Sequence, residues 1–174
     1  MYQNKDHTSQ KHIVTKTSNI DITDQKNLKK ITEKIINLIN KGDNLFLYGD
    51  LGVGKTTFAK LLINNFQIKK NLNLSEVLSP TFNILNEYDI ENFTIKHYDL
   101  YRIKQLEELD NLSLFEDKEA INIIEWPEIL SSKKIKRIEF HFSYSNSFEN
   151  RNLDRKSTRL NSSHSQQSRM PSSA

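Results

Sequence analysis

The sequence runs to 174 residues, 27% charged and 36% hydrophobic, which suits one globular domain with a core of its own. It contains no cysteine, so a disulfide framework and thiolate metal ligation are both excluded. The formal net charge is +3, but Arg155, Lys156, Arg159 and Arg169 against the single acid Asp154 carry the whole excess, so the basic balance is no argument for nucleic-acid binding.

Residues 1–19 form a polar extension without the apolar stretch of a secretory signal. No apolar run approaches the roughly 20 residues that span a bilayer, so no membrane association and a cytoplasmic location are expected. Thr23 or Asp24 can N-cap a helix in which Leu28, Ile31, Ile35, Leu38 and Ile39 keep helical spacing, with Gly42 as its C′ residue. Leu45-Phe46-Leu47-Tyr48 reads as a buried strand running into Gly49. A second helix is predicted from Lys55, burying Phe58, Leu61, Leu62 and Phe66. Residues 82–88 and 93–98 read as strands around a polar turn at 89–92, and short helical pieces are predicted near 105–109 and 114–118. Residues 120–124 form another apolar strand, ending in Glu125-Trp126-Pro127. The alternating stretch 135–142 is predicted to close the sheet, so that one continuous domain covers residues 20–153.

Residues 154–174 are Ser-rich, show no apolar period and read as a disordered tail. The stretch from Asp154 to His164 (DRKSTRLNSSH) resembles the in-frame translation of a sequencing-library adapter, and that from Ser168 to Ala174 (SRMPSSA) resembles its far side. On this reading the natural segment stops near Leu153, and the tail is set aside from functional reasoning. An unclosed sheet edge and poorer solubility would then be expected.

Chemistry concentrates at Gly49-Asp50-Leu51-Gly52-Val53-Gly54-Lys55-Thr56, which fits G-x4-G-K-[ST]. Such a loop must curve its backbone N–H groups around a phosphate, and glycine permits that curvature without a Cβ clash. Three of the four glycines in the chain lie in these eight residues, which makes a chance match improbable. The helix from Lys55 would aim its N-terminal dipole at the anion. Lys55 would bridge the β- and γ-phosphates, and the Thr56 hydroxyl would coordinate magnesium.

Asn40-Lys41-Gly42-Asp43 matches a guanine-reading N-K-x-D pattern, but it precedes the strand that carries the loop. It therefore falls at the wrong end of the sheet, and a turn is expected there with adenine as the base. Asp99 and Glu125 follow apolar strands and are candidates to hold magnesium or align the attacking water. His97, Asp99 and Tyr101 would share one face if that strand continues. His97 lacks a second histidine to make a metal pair and is read as structural or as supporting the acids. Arg102 could reach phosphate or Asp99. Trp126, the only tryptophan, is placed in the core or as a cap on the site.

Four blocks together resemble the bacterial ATPase family TsaE, also called YjeE: the loop through Thr57, then Ser79-Pro80-Thr81-Phe82, His97-Tyr98-Asp99-Leu100-Tyr101-Arg102 and Glu125-Trp126-Pro127-Glu128. The resemblance implies an α/β fold of the P-loop NTPase type, a mixed, mostly parallel sheet flanked by helices. It implies ATP and Mg2+ as cofactors and a slow ATPase acting with the TsaB–TsaD complex in threonylcarbamoylation of adenosine 37 of tRNA, with tRNA met only through that complex. Residue by residue, it implies ATP binding by Leu51, Gly52, Val53, Gly54, Lys55, Thr56 and Thr57, and catalysis by Lys55, Asp99 and Glu125. Thr56 and Glu125 would be the metal ligands, Ser79, Pro80, Thr81 and Trp126 switch-like elements, and the neighbourhood of Asp24 a wall for adenine. The rival readings are a small-molecule or nucleoside P-loop kinase and a nucleotide-sensing binding module. The stretch 103–120 holds no arginine for a kinase lid.

Overall fold

The computed structural model describes residues 20–145 and 150–158. Its frame is a seven-stranded sheet of β1 (Ile20–Asp21), β2 (Asn44–Tyr48), β3 (Leu85–Ile90), β4 (Phe93–Asp99), β5 (Ile121–Glu125), β6 (Arg137–Tyr144) and β7 (Arg151–Thr158). The spatial order is β1-β7-β6-β2-β5-β4-β3. The four central strands β6, β2, β5 and β4 are parallel, and β3, β7 and β1 add antiparallel edges. A parallel strand covered on both faces needs a continuous apolar run. The sequences NLFLY and INIIE supply it, with Leu45, Phe46, Leu47, Ile121, Ile123 and Ile124 all fully buried.

Helices α1 (Gln25–Ile35) and α2 (Lys55–Lys69) cover one face of the sheet. Leu28 and Ile35 of α1 and Phe58, Leu62 and Ile63 of α2 pack there against Leu45, Leu47, Ile123 and Phe140. Helix α1 begins where the Asp24 carboxylate accepts from the Lys26 N–H at 2.8 Å, a cap that contributes about 1 kcal/mol. Between the helices, the Asn65 amide donates to the Thr32 hydroxyl at 3.0 Å, so both buried polar groups are satisfied. The opposite face, Phe46, Tyr98 and Ile124, is covered by Leu100, Ile103, Leu109 and Leu130 from the segment carrying two short 3-10 helices, Leu106–Leu112 and Pro127–Leu130.

The predicted strands and the two long helices are present, with boundary corrections. Helix α1 stops at Ile35, so Leu38 is exposed and Gly42 lies in the turn into β2 instead of at a helix C′ position. Strand β3 starts at Leu85 because Ile84 adopts a left-handed φ of 65°, leaving Phe82 exposed in the preceding turn. The helical piece expected at 114–118 is a turn, with Ser113 and Phe115 at positive φ.

The larger correction concerns the sheet edge. β6 does not close the sheet: β7 pairs along it from Tyr144↔Arg151 to Arg137↔Thr158, and β1 pairs with β7. Residues 154–158, read from composition as the start of a disordered tail, are the second half of β7. Adding a strand to an existing edge needs backbone N–H and C=O groups more than apolar side chains, and buried Leu153 sets the register. Composition reads side chains alone and misses this. Residues 1–19 and the remainder of the expected tail lie outside the described residues.

Two outcomes follow from this packing. A chain ended at Leu153 loses the ladder from His141↔Asp154 to Arg137↔Thr158, and denaturant unfolding is expected to show a loss of more than about 1 kcal/mol with increased aggregation. Tyr98 is fully buried, and its hydroxyl has no hydrogen-bond partner among the described residues. Burial, with Glu87, Asp117 and Glu116 nearby, pushes its pKa up to about 12. The folded state therefore holds this proton more tightly than the unfolded chain, so stability falls as pH rises from about 10 to 12. Tyr98→Phe is expected to remove that part of the alkaline loss in a pH series of melts.

Candidate functional site

Strand β2 ends at Tyr48 and the chain turns at once through residues 49–54 into α2. Gly49 has φ 137°, and a Cβ there would lie 2.5 Å from the Phe142 carbonyl oxygen, so this position requires glycine. Gly54 at φ 114° is the N-cap of α2 and provides no side chain to cap it. The first-turn N–H groups of α2 therefore keep the capacity to bind an anion. Val53 is fully buried and anchors the loop to the core, whereas Leu51 is exposed.

Lys55, the first residue of α2, is buried and folds back on its own loop. Its ammonium donates to the Gly49 carbonyl at 2.6 Å and the Asp50 carbonyl at 2.9 Å, and sits 3.8 Å from the centre of the Trp126 ring. Burial holds its pKa below the usual lysine range, and the carboxylates of Glu125, Glu128, Asp99 and Asp50 offset part of that cost.

Parallel pairing brings the acids together. Asp99 ends β4 and Glu125 ends β5, and the two are register partners. Glu125 is almost fully buried: Oε2 accepts from the Thr56 hydroxyl at 3.0 Å, and Oε1 lies 2.9 Å from His97 Nε2. Asp99 is equally engaged. Its Oδ2 accepts from the hydroxyls of Thr81 at 2.7 Å and Ser79 at 3.3 Å, and its Oδ1 from the Tyr101 N–H at 3.0 Å. Trp126 leaves β5 in a left-handed conformation (φ 55°), which turns its indole toward Tyr101, 4.8 Å between ring centres.

These groups line one cleft of about 240 Å3. Leu51, Gly52, Gly54, Lys55, Thr56, Thr57, Ser79, Thr81, Asp99, Glu125 and Trp126, all singled out from the sequence, face it together with Tyr101. Three other candidates do not line it: Val53 lies in the core, the Pro80 carbonyl accepts from the Ile84 N–H, and the Arg102 guanidinium lies over the Phe82 ring. Tyr101 reaches the cleft from a turn after β4, so the strand does not continue to it. The Thr56 hydroxyl and Glu125 carboxylate are hard oxygen donors beside a phosphate loop, a donor set that suits magnesium completing its shell with water and phosphate.

A second hollow of about 330 Å3 adjoins the first across the loop, sharing Gly54 and Thr57. Ile22, Thr23, Gln25, Leu28, Val53 and Arg151 complete its wall. Asp24, the expected neighbour of a base, is the cap of α1 and does not line it. Arg151 was invisible to sequence reasoning, because it arrives through the antiparallel pairing of β7 with β1. At the far end of β2, Asp43 accepts from the Asn40 N–H at 2.9 Å, so the N-K-x-D stretch is a turn remote from the loop.

Strand, glycine loop and helix, with acids ending adjacent parallel strands, define a P-loop nucleotide-binding protein. The family described as "Threonylcarbamoyl adenosine biosynthesis protein TsaE" matches residues 22–154, and the chain belongs to that family. Among curated relatives, the tRNA threonylcarbamoyladenosine biosynthesis protein TsaE of Rickettsia felis is 40% identical over 63% of this chain and 62% of its own length. The protein of the same name from Aquifex aeolicus is 36% identical over 57% of this chain and 68% of its own length. The match thus spans less than two thirds of the Rickettsia felis relative. The crystal structure of Bacillus subtilis YdiB superposes with a TM-score of 0.61 at 22% identity, covering 83% of this chain and 88% of that one, a likeness of fold.

The Lys55–Trp126 contact gives the site an optical reporter, since Trp126 is the only tryptophan. A phosphate that draws the Lys55 ammonium off the ring is expected to change the intrinsic fluorescence of the wild type. Lys55→Met should abolish that response, and titration with ATP and with AMP checks it.

Proposed function

We propose that this chain is the Mg2+-dependent ATP-binding and ATP-hydrolysing component of tRNA threonylcarbamoyladenosine (adenosine 37) modification, working in the cytoplasm with the TsaB–TsaD complex and meeting tRNA only through it. Family membership supports the pathway. The observation that carries the enzymatic reading is the single cleft uniting the glycine loop and Lys55 with Asp99 and Glu125. Among the described residues no helix is long and apolar enough to cross a membrane.

In this reading Lys55 exchanges its two loop carbonyls for the β- and γ-phosphate oxygens. That exchange is favourable because two neutral acceptors give way to anionic ones. Magnesium held by Thr56 and Glu125 would neutralise charge on the phosphates. The adenine would occupy the second hollow, between Gln25 and Arg151. Asp99 would orient the attacking water through lone pairs left beside, or freed from, the three hydrogen bonds it now accepts. Two of them come from Ser79 and Thr81 to Oδ2, so movement of that loop would free this oxygen. Such coupling would make turnover slow until a partner stabilised the displaced loop. The same engagement of Asp99 gives the nucleotide-sensor reading its footing, and turnover separates the two.

Asp99→Ala is expected to keep ATP affinity within a few-fold of the wild type. Steady-state phosphate release in the presence of TsaB–TsaD should fall by about 100-fold or more. Background phosphate release by the wild type with partners present would instead favour the sensor.

A further inference from the structure

Beside the acids of the cleft lies a buried imidazole that the proposed function leaves without a task. His97 is fully buried on β4, two residues before Asp99, and its Nε2 is 2.9 Å from Glu125 Oε1. A carboxylate only accepts, so Nε2 carries the hydrogen and donates it. Nδ1 has no hydrogen-bond partner among the described residues, so the ring is held by this one bond and by packing. The carboxylate it reaches is divided in a definite way, with Oε1 taken by His97 and Oε2 by the Thr56 hydroxyl.

We propose that His97 is a positioning residue that locks Glu125 in the orientation presenting Oε2, beside Thr56, to the nucleotide-bound magnesium. The inference deepens the ATP–magnesium reading and rests on it. Without the lock, the Glu125 side chain has a competing cation close by. The Lys55 ammonium lines the same cleft as Glu125. A carboxylate released from His97 can turn to that ammonium, which misplaces the metal ligand and distracts the phosphate-binding cation together. A bond from an imidazole N–H to a ligating carboxylate is the kind of outer contact whose loss costs about 10–100-fold in metal affinity.

The test measures binding, not turnover, and uses the full chain. Affinity for fluorescent ADP is determined in EDTA and in Mg2+, and Mn2+ binding to the ADP complex is read from the loss of the free-ion EPR signal. His97→Leu is expected to keep metal-free ADP affinity within about twofold while Mn2+ binding weakens about 10–100-fold. His97→Gln, whose amide N–H can reach Oε1, should recover most of the loss, whereas His97→Asn is too short and should not. The Gln and Asn pair alone decides the matter if the Leu variant does not fold. Equal Mn2+ affinity in the Gln and Asn variants, or equal losses with and without metal, would overturn the proposal and leave His97 a packing residue. Failure of the wild type to bind ADP at all would instead strike at the ATP reading itself.

Discussion

The parallel ladder of β4, β5 and β2 fixes the level at which three chain segments leave the sheet, and the site consists of what leaves at that level. Asp99 stands opposite Glu125, and Glu125 opposite Leu47, one residue before Tyr48 ends β2. Because side chains alternate, a slip of one residue in either pairing would turn an acid from the cleft into the core. The register is held by the fully buried Leu45, Leu47, Ile95, Ile121 and Ile123 under the two helices. Phe46, Tyr98 and Ile124 hold it from the other face. Losing Phe58, which packs 4.8 Å from Phe140 and 5.5 Å from Phe142, would cost about 3–5 kcal/mol and loosen the start of α2 as well.

Within that frame the polar groups of the cleft satisfy one another. Lys55 bonds its own loop, Glu125 is shared by His97 and Thr56, and Asp99 is shared by Ser79, Thr81 and the Tyr101 N–H. Such mutual satisfaction offsets the desolvation of three buried charges. It also means that any ligand engaging the side chains of Lys55, Glu125 or Asp99 would replace bonds already present, whereas the first-turn N–H groups of α2 stand uncapped. The loop at residues 79–81 is tied to the core through the Asp99 carboxylate, so its position and the state of that acid change together.

Much of this was legible in the sequence, for reasons that differ by residue. The glycine loop is readable because its curvature admits few residue types, and the two acids because each follows an apolar strand at the end where ligands bind. Residues brought together by pairing of distant strands were not readable. Arg151 reaches the second hollow only because β7 crosses to β1, and the bond from His97 to Glu125 depends on β4–β5 register. The strand at 154–158 was missed for a related reason. Its polar residues pair along the edge of β6, which no local window contains. The 3-10 helix at Leu106–Leu112 and the turn after it answer to the packing of Leu109 against Tyr98 and Leu130 more than to helix propensity.

The central claim is that one cleft, depending on Lys55, serves tRNA modification. Its most direct test is the amount of threonylcarbamoyladenosine in total tRNA from bacteria depleted of their own TsaE-family protein and supplied with this chain or its Lys55→Ala form. The account predicts that the unmutated chain restores the modified nucleoside and that the Lys55→Ala chain, equally soluble, does not. Restoration by both would contradict the need for the phosphate loop. Restoration by neither, with the unmutated chain folded and bound to the TsaB–TsaD complex, would contradict the assignment of this cleft to the pathway.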